Sequence, residues 1–207
     1  LVHMCGGNAN MDEIMAVVNE HQLILVEDAG QAFAASYKGT ATGLFGKAGA
    51  YSFDFFKIAT AGEGGVLVTN DEATYKLADS YCDHGHPIIG FNYRISELHA
   101  AVGAAQTRKV PAIREANLKN KAFLQKELSK IEGISFSKLG DDNGDSGTFL
   151  NILMPDTETA KRTVDEFNKA GVAGFNYWFT NMYHFINQWE HIKGLKTASK
   201  LGVEVIG

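Results

Sequence analysis

Short apolar runs alternate along this chain with segments whose apolar residues recur at helical spacing. Residues 23–26 form a continuous apolar run, which is typical of a strand in a parallel sheet covered on both faces. Residues 11–21 precede it and have a helical pattern, with Asn10 as the predicted N-cap. Because residues 1–4 are also strand-like, the order strand, helix, strand predicts a βαβ unit.

The following residues continue this alternation of strands and helices. A glycine-rich stretch at residues 37–49 predicts a loop. Asp71 and Ser96 each stand where a helix N-cap is expected. The strands are predicted at residues 50–53 and 64–69. The helices are predicted at residues 71–81, from residue 97 onwards and at 112–131, and Pro111 separates the last two.

The pattern changes near Glu132, where the long helices stop. Strands are predicted at residues 134–136 and 148–154, and a helix at 157–170. We therefore predict that residues 1–132 belong to a larger α/β domain and residues 133–207 to a smaller α+β domain. The first residues look like the end of a strand and the last residues have no capped ending, so we expect a fragment with structure missing at both ends.

Composition and charge narrow the possible partners. The 207 residues are 45% hydrophobic and 21% charged, which is typical of a globular protein with a real core. A net charge of -5 without blocks of like charge argues against a nucleic-acid partner. Cys5 and Cys82 lie far apart, which argues against a disulfide framework. No signal peptide or membrane-spanning run is visible, so we expect a cytoplasmic protein without a membrane partner.

Lys57 is the residue most informative about function. It follows a predicted strand that ends near Ser52, and aromatic residues precede it at Phe53, Phe55 and Phe56. These rings would desolvate the ammonium group, which favours attack on a carbonyl carbon. The alternative is an ordinary lysine that reaches from a buried strand end to solvent.

Asp28 follows the other buried run, at the sheet edge where α/β proteins bind ligands. A lysine and an acid at such positions suit pyridoxal phosphate (PLP), because lysine forms a Schiff base with its aldehyde and an acid pairs with its pyridinium nitrogen. Gln31 lies close enough in sequence to touch the same ligand, and Ser52 is placed to donate to a phosphate. The alternative is that Asp28 only caps a turn.

Other polar and aromatic groups are weaker candidates. His84 and His86 flank a glycine, but no third ligand stands at a telling spacing, so no metal site is predicted. Asn92 and Arg94 precede a helix start and are candidates for an anion site, the alternative being a capping turn. Trp178 belongs to an aromatic stretch that forms either core or a substrate wall.

In order and spacing these motifs resemble the DegT/DnrJ/EryC1/StrS family of sugar aminotransferases. The family has the fold-type I architecture of aspartate aminotransferase. The resemblance is strong over residues 2–106 and looser beyond. The matching segments are residues 26–32, 51–53 with Lys57, 62–69, 84–85 and 92–101.

The resemblance implies a role for each matching residue. Lys57 is the Schiff-base lysine and the catalytic residue. Asp28 meets the pyridine nitrogen, Gln31 lies by the ring, and Ser52 contacts the phosphate. Asn92 reaches the phosphate of the neighbouring subunit's cofactor, because the family forms homodimers with shared active sites. The implied reaction moves an amino group, from glutamate, to a keto- or aldehydo-sugar used in lipopolysaccharide or related glycan biosynthesis.

Further similarities concern the substrate. Arg94, His84 and Trp178 are the candidate substrate residues. Residues 53–55, 82–86, 177–178 and 188–191 resemble a subgroup that makes 8-amino-3,8-dideoxy-manno-octulosonate. Two departures matter. The family's N-terminal turn that grips the phosphate has no counterpart in this sequence, and only a few residues separate His86 from Phe91, where that subgroup has a longer loop.

Two other functions stay open at this point. A PLP-dependent sugar dehydratase is related in sequence, but such enzymes have histidine where the aminotransferases have the Schiff-base lysine, so Lys57 argues against it. A non-catalytic or regulatory relative of the same fold is the other alternative. The cofactor's absorbance band in the full-length protein discriminates between binding and non-binding relatives.

Overall fold

A computed structural model describes residues 1–83, 90–180, 189–190 and 194. The chain divides into two compact units, Leu1–Leu153 and Met154–Gly207. The first unit contains every strand of the described structure and all the predicted PLP-binding residues.

A three-stranded sheet organises the first unit. In chain order the first elements of this unit are α1 (Met11–Glu20), β1 (Val26–Asp28), β2 (Ser36–Tyr37), β3 (Thr40–Ala41), β4 (Ala48–Ser52) and β5 (Gly65–Val68). The sheet consists of β1, β4 and β5. The central strand, β4, is parallel to β1 and antiparallel to β5. Val2 makes a parallel bridge to Asp28, which confirms the predicted βαβ unit.

The first strand lies further along the chain than the apolar pattern predicts. The backbone of Leu23 closes the end of α1 by donating to Val18, so the extended segment starts only afterwards. The prediction of a strand buried on both faces is also wrong for the described structure, since the side chain of Ile24 is 75% exposed. Apolar character here therefore does not coincide with burial.

The predicted glycine-rich loop contains a small hairpin. β2 and β3 pair in antiparallel fashion around Lys38 and Gly39, whose φ angles of 49° and 86° suit a two-residue hairpin turn. The chain then crosses over β4, where a Cβ on Gly49 would come within 2.0 Å of the carbonyl oxygen of Gly43. Only a glycine at position 49 allows the loop to lie this close to the sheet.

The helices largely confirm their predicted starts. They are α2 (Glu72–Cys82), α3 (Glu97–Thr107) and α4 (Val110–Leu128). Asp71 accepts from the amide of Thr74, and Ser96 accepts from the amide of His99, as N-caps do. Asn10 occupies the N-cap position of α1, but its side chain accepts from the hydroxyl of Tyr37 instead. Among the described residues no helix is both long and apolar enough to cross a membrane.

The chain after α4 continues within the first unit as far as Leu153. β6 (Ser135–Phe136) and β7 (Ile152–Leu153) form an antiparallel pair. The intervening loop is anchored by a buried hydrogen bond of 2.6 Å from the Ser146 hydroxyl to the carbonyl of Gly6. The predicted boundary near Glu132 thus falls inside the first compact unit, and the assignment to a large and a small domain stays a prediction. The second unit contains α5 (Thr157–Lys169).

Candidate active site

Two adjacent parallel strands end at the candidate site. Asp28 ends β1 and Ser52 ends β4, and Gly30 lies between their side chains. A Cβ built on Gly30 would be 3.0 Å from Asp28 Oδ1 and 3.5 Å from Ser52 Cβ. The structure therefore brings these two predicted cofactor residues together at the carboxyl edge of the sheet, where open α/β sheets bind ligands.

Asp28 is held through its backbone and presents an exposed side chain. Its amide donates to the carbonyl of Leu1 at 2.7 Å, and its carbonyl accepts from the amide of His3 at 2.9 Å. Its Oδ1 accepts from the amide of Gly30 at 2.9 Å. The turn-capping alternative is thus present in the structure, and it occupies one carboxylate oxygen.

Lys57 ends a tight turn that follows β4. Its amide donates to the carbonyl of Asp54 at 3.0 Å, while Asp54 Oδ1 accepts from the amide of Phe56 at 3.0 Å. The Lys57 side chain is half-buried. The predicted aromatic enclosure is wrong for Phe55 and Phe56, which stack on each other and face solvent, Phe56 being 80% exposed. Phe53 alone of the three packs inward.

Helix α3 holds this turn from the other side. The chain after Lys57 returns alongside β4, where the amide of Ala61 donates to the carbonyl of Phe53 at 2.8 Å. A Cβ on Gly103 of α3 would lie 3.3 Å from the Cβ of Ala61. Near the start of α3, the His99 ring lies 3.9 Å from the position a Cβ on Gly62 would take. Close contact with a helix thereby fixes the loop that contains Lys57.

Gln31 also lies beside the strand ends, in a half-buried position. Its Oε1 accepts from the amide of Cys5 at 3.0 Å. Because that oxygen already has a donor, the amide nitrogen is the end of the side chain left to donate to a ligand.

Asn92 and Arg94 form a small polar group with Asp83. Arg94 Nε donates to Asn92 Oδ1 at 3.0 Å, and Arg94 Nη1 lies 3.1 Å from Asp83 Oδ1. Asn92 has a φ of 51°, a left-handed conformation that asparagine tolerates better than most residues. The guanidinium group of Arg94 thus binds protein partners on two of its nitrogens.

The remaining candidates lie elsewhere or outside the described residues. His84, together with His86, falls outside the described residues. Trp178 is half-buried in a short 3₁₀ turn, Trp178–Thr180, within the second unit. Its proposed contact with substrate stays a prediction.

Glu27 is the residue that the sequence analysis missed. Its side chain is 0% exposed, although it precedes the exposed Asp28. Both carboxylate oxygens accept two hydrogen bonds each. The four donors are the Phe45 amide at 2.6 Å and the Gly46 amide at 2.7 Å on Oε1, and the Gly43 amide at 2.8 Å and His3 Nε2 at 2.9 Å on Oε2.

The second nitrogen of His3 defines how this pair is bonded. Nδ1 accepts from the amide of Ala9 at 3.3 Å, so Nδ1 carries no proton. The proton therefore resides on Nε2, which donates it to Glu27. His3 itself is fully buried.

The surroundings of Glu27 favour its ionised form. Burial alone would raise the pKa of Glu27, but hydrogen bonds from His3 and from three backbone amides outweigh burial and hold the pKa below its usual value. Burial and, next, the negative charge of Glu27 raise the pKa of the neighbouring Tyr51. Strand alternation was the available signal: if Asp28 faces a ligand, Glu27 faces the interior.

Comparison with known proteins gives a consistent picture. The model of the DegT/DnrJ/EryC1/StrS aminotransferase family matches residues 1–202. GDP-perosamine synthase of Caulobacter vibrioides is 35% identical over 138 residues, which is 63% of this chain and 37% of that protein. L-glutamine:2-deoxy-scyllo-inosose aminotransferase of Streptomyces paromomycinus is 31% identical over 147 residues, which is 62% of this chain and 35% of that protein.

A solved structure supports the same fold. The Escherichia coli GDP-4-keto-6-deoxy-D-mannose-3-dehydratase with bound hydrated PLP superposes with a TM-score of 0.76 at 22% identity, covering 82% of this chain and 50% of that chain. The chain spans about half of that structure and little more than a third of the curated relatives it matches.

We predict that Glu27→Gln destabilises the full-length protein by about 3 kcal/mol or more at pH 7, because an amide nitrogen would face backbone N–H donors in a buried site. The folded-state pKa lies below the unfolded value of about 4.3. The stabilisation is therefore complete above the unfolded pKa and is lost as the pH falls through the folded pKa.

Urea unfolding at pH 7, 5, 4 and 3.5 measures this difference in the free energy of unfolding. We expect the gap between wild type and Glu27→Gln to shrink below about pH 4. The exposed Glu20→Gln serves as the control and should change little. A gap that stays constant down to pH 3.5 would contradict an ionised Glu27.

Proposed function

Since the chain belongs to the DegT/DnrJ/EryC1/StrS aminotransferase family, whose members depend on PLP, we propose that it forms the cofactor site of a sugar aminotransferase with part of the fold-type I architecture. One observation carries the proposal. Asp28 and Ser52 flank Gly30 at the ends of two adjacent parallel strands, and Lys57 follows on the next turn.

The groups at this edge complement PLP. The second carboxylate oxygen of Asp28 suits a protonated pyridine nitrogen, the Ser52 hydroxyl suits a phosphate oxygen, and the amine of Lys57 suits the aldehyde carbon. Gln31 has its amide nitrogen left to donate to the ring substituents. The bound cofactor supplies an electron sink. With the cofactor bound, Lys57 would accept and return the proton of the amino donor's Cα, and Asp28 would favour the charged form of the ring nitrogen.

The site is proposed to be completed by a second copy of the chain. Asn92 would donate to the phosphate of the partner's cofactor in a homodimer. Its Oδ1 already accepts from Arg94, so the amide nitrogen is the end available for an anion. Arg94, His84 and Trp178 stay proposed substrate residues. Arg94 already binds the carboxylate of Asp83, so its guanidinium group would have to bind a substrate carboxylate in addition.

The substrates are proposed at two levels. The coarser level is a keto- or aldehydo-sugar acceptor, which agrees with the sugar-related names of the matching relatives. The finer level is 3,8-dideoxy-8-oxo-manno-octulosonate as acceptor and glutamate as donor. One relative is named for L-glutamine, which makes glutamine the competing donor.

Reverse half-reactions decide among the acceptors, because transamination also runs from an amino sugar to the cofactor. We predict that 8-amino-3,8-dideoxy-manno-octulosonate converts the PLP form of the full-length protein to its amino form, as followed by absorbance. GDP-perosamine is the comparison compound. Conversion by GDP-perosamine and not by the octulosonate would refute the finer proposal while leaving the coarser one intact. Glutamate and glutamine are compared in the same assay.

Two alternatives share this fold. The dehydratase function is disfavoured by the lysine at position 57, even though a solved dehydratase has the same fold. A non-catalytic relative is disfavoured by the proximity of Asp28 and Ser52 at one sheet edge, since a structural role alone requires no such grouping.

We predict that borohydride treatment of the full-length protein with PLP labels Lys57, because its amine follows the strand end on which Ser52 stands. Mass spectrometry of the digested protein locates the label. Lys57→Ala is the control and should remain unlabelled. Label on Lys47 or Lys76 would show that the lysine assignment is wrong, and absence of any label in wild type would favour a relative that does not bind the cofactor covalently.

We predict that Asp28→Asn lowers the transamination rate by roughly 100-fold or more while the protein stays folded. Losing the charge opposite the ring nitrogen removes stabilisation of the reaction's charged states, where about 1.4 kcal/mol corresponds to a tenfold change in rate. Asp142→Asn, an exposed acid, serves as the control. Near-normal turnover in Asp28→Asn would show that Asp28 only caps its turn.

A further inference from the structure

We propose that Glu27 and His3 are positioning residues, which hold β1 in the one register that presents Asp28 rather than Glu27 to the cofactor. The proposal rests on the proposed function of the site. Both side chains are buried, and neither is among the groups that would touch PLP.

Two adjacent acids lie on opposite faces of a short strand. β1 has only three residues, with Glu27 buried between the exposed Val26 and Asp28. A slip of one residue exchanges the two faces of a strand. Such a slip would bring Glu27 to the site and bury Asp28, and three residues of backbone pairing give limited resistance to it.

Glu27 makes contacts that such a slip would break. Its carboxylate accepts four hydrogen bonds, which is the full capacity of its two oxygens. The shorter and exposed Asp28 has one side-chain bond, to the amide of Gly30. The buried face of β1 therefore suits Glu27 better than Asp28, because four donors are placed to reach the longer carboxylate.

His3 forms hydrogen bonds with both acids. Its side chain donates to Glu27, while its backbone amide donates to the carbonyl of Asp28 at 2.9 Å. One residue thus contacts both members of the pair. Displacement of the His3 ring would remove one of the four donors to Glu27 and loosen the link between that carboxylate and the segment whose backbone binds Asp28.

The hydrogen bonds of Glu27 also link β1 to β4. Three of the donors to Glu27 lie in residues 43–46, which lead directly into β4. In the sheet Glu27 stands opposite Gly49, and Gly49 lacks the Cβ that would exclude the Gly43 backbone. Since β4 ends in Ser52, the buried carboxylate fixes Ser52 and Asp28 relative to each other.

A pair of histidine replacements tests this directly. In His3→Gln the side-chain amide nitrogen reaches the position of imidazole Nε2 and keeps the donor to Glu27. In His3→Asn the shorter amide reaches only the position of Nδ1 and loses that donor. Both variants, with Glu27→Gln, are compared with wild-type full-length holoenzyme loaded with PLP.

We expect His3→Asn and Glu27→Gln to shift the pH titration of the bound cofactor's absorbance and to lower kcat by roughly 100-fold, as small misplacements of reacting groups do, with little change in KM. His3→Gln should restore both readouts to within about threefold. Asp145→Asn is the control for lost stability, because Asp145 is a buried carboxylate paired with Lys121 away from β1.

The outcomes separate this proposal from the function itself. A wild-type protein that binds no PLP sinks the proposed function. A wild type that binds PLP and transaminates, together with a His3→Asn variant whose cofactor titration and kcat match it, overturns the positioning role alone. Equal effects of His3→Gln and His3→Asn also overturn it. If Glu27→Gln cannot be purified folded, the two His3 variants, which alter one of four contacts, decide the question.

Discussion

The ionised side chain of Glu27 is the constraint on which the rest of the site depends. A buried carboxylate is costly unless its lone pairs are satisfied, and here four donors satisfy them. Those donors come from the start of the chain and from the loop before β4. The same interaction therefore joins the first residues, β1 and β4 into one edge.

That edge is where the chemistry of the family would take place. With Glu27 committed to the interior, strand alternation turns Asp28 outward, beside Gly30 and Ser52. Lys57 follows on a turn that Asp54 closes and that α3 supports through Gly103. Strand ends thus hold Asp28 and Ser52, while Lys57 stands on a turn that packs against a helix.

The sequence predicted the helix starts and the proximity of the candidate residues Asp28 and Ser52 better than it predicted burial. Asp71 and Ser96 cap their helices as expected because capping is a local interaction. Exposed Ile24 and Phe56 were predicted as enclosed, since apolar character does not show which neighbour covers a side chain. Strand alternation indicated only that Glu27 faces the interior; its pairing with His3 spans 24 positions and has no local signal.

A crystal structure of the full-length protein with PLP tests the central claim most directly. We expect an Asp28 carboxylate oxygen within hydrogen-bonding distance of the pyridine nitrogen, about 2.6–3.2 Å, with the Glu27 carboxylate still bound to His3 and to the amides of Gly43, Phe45 and Gly46. A cofactor whose ring nitrogen faces another group, or a Glu27 side chain turned toward the ring, would contradict the account.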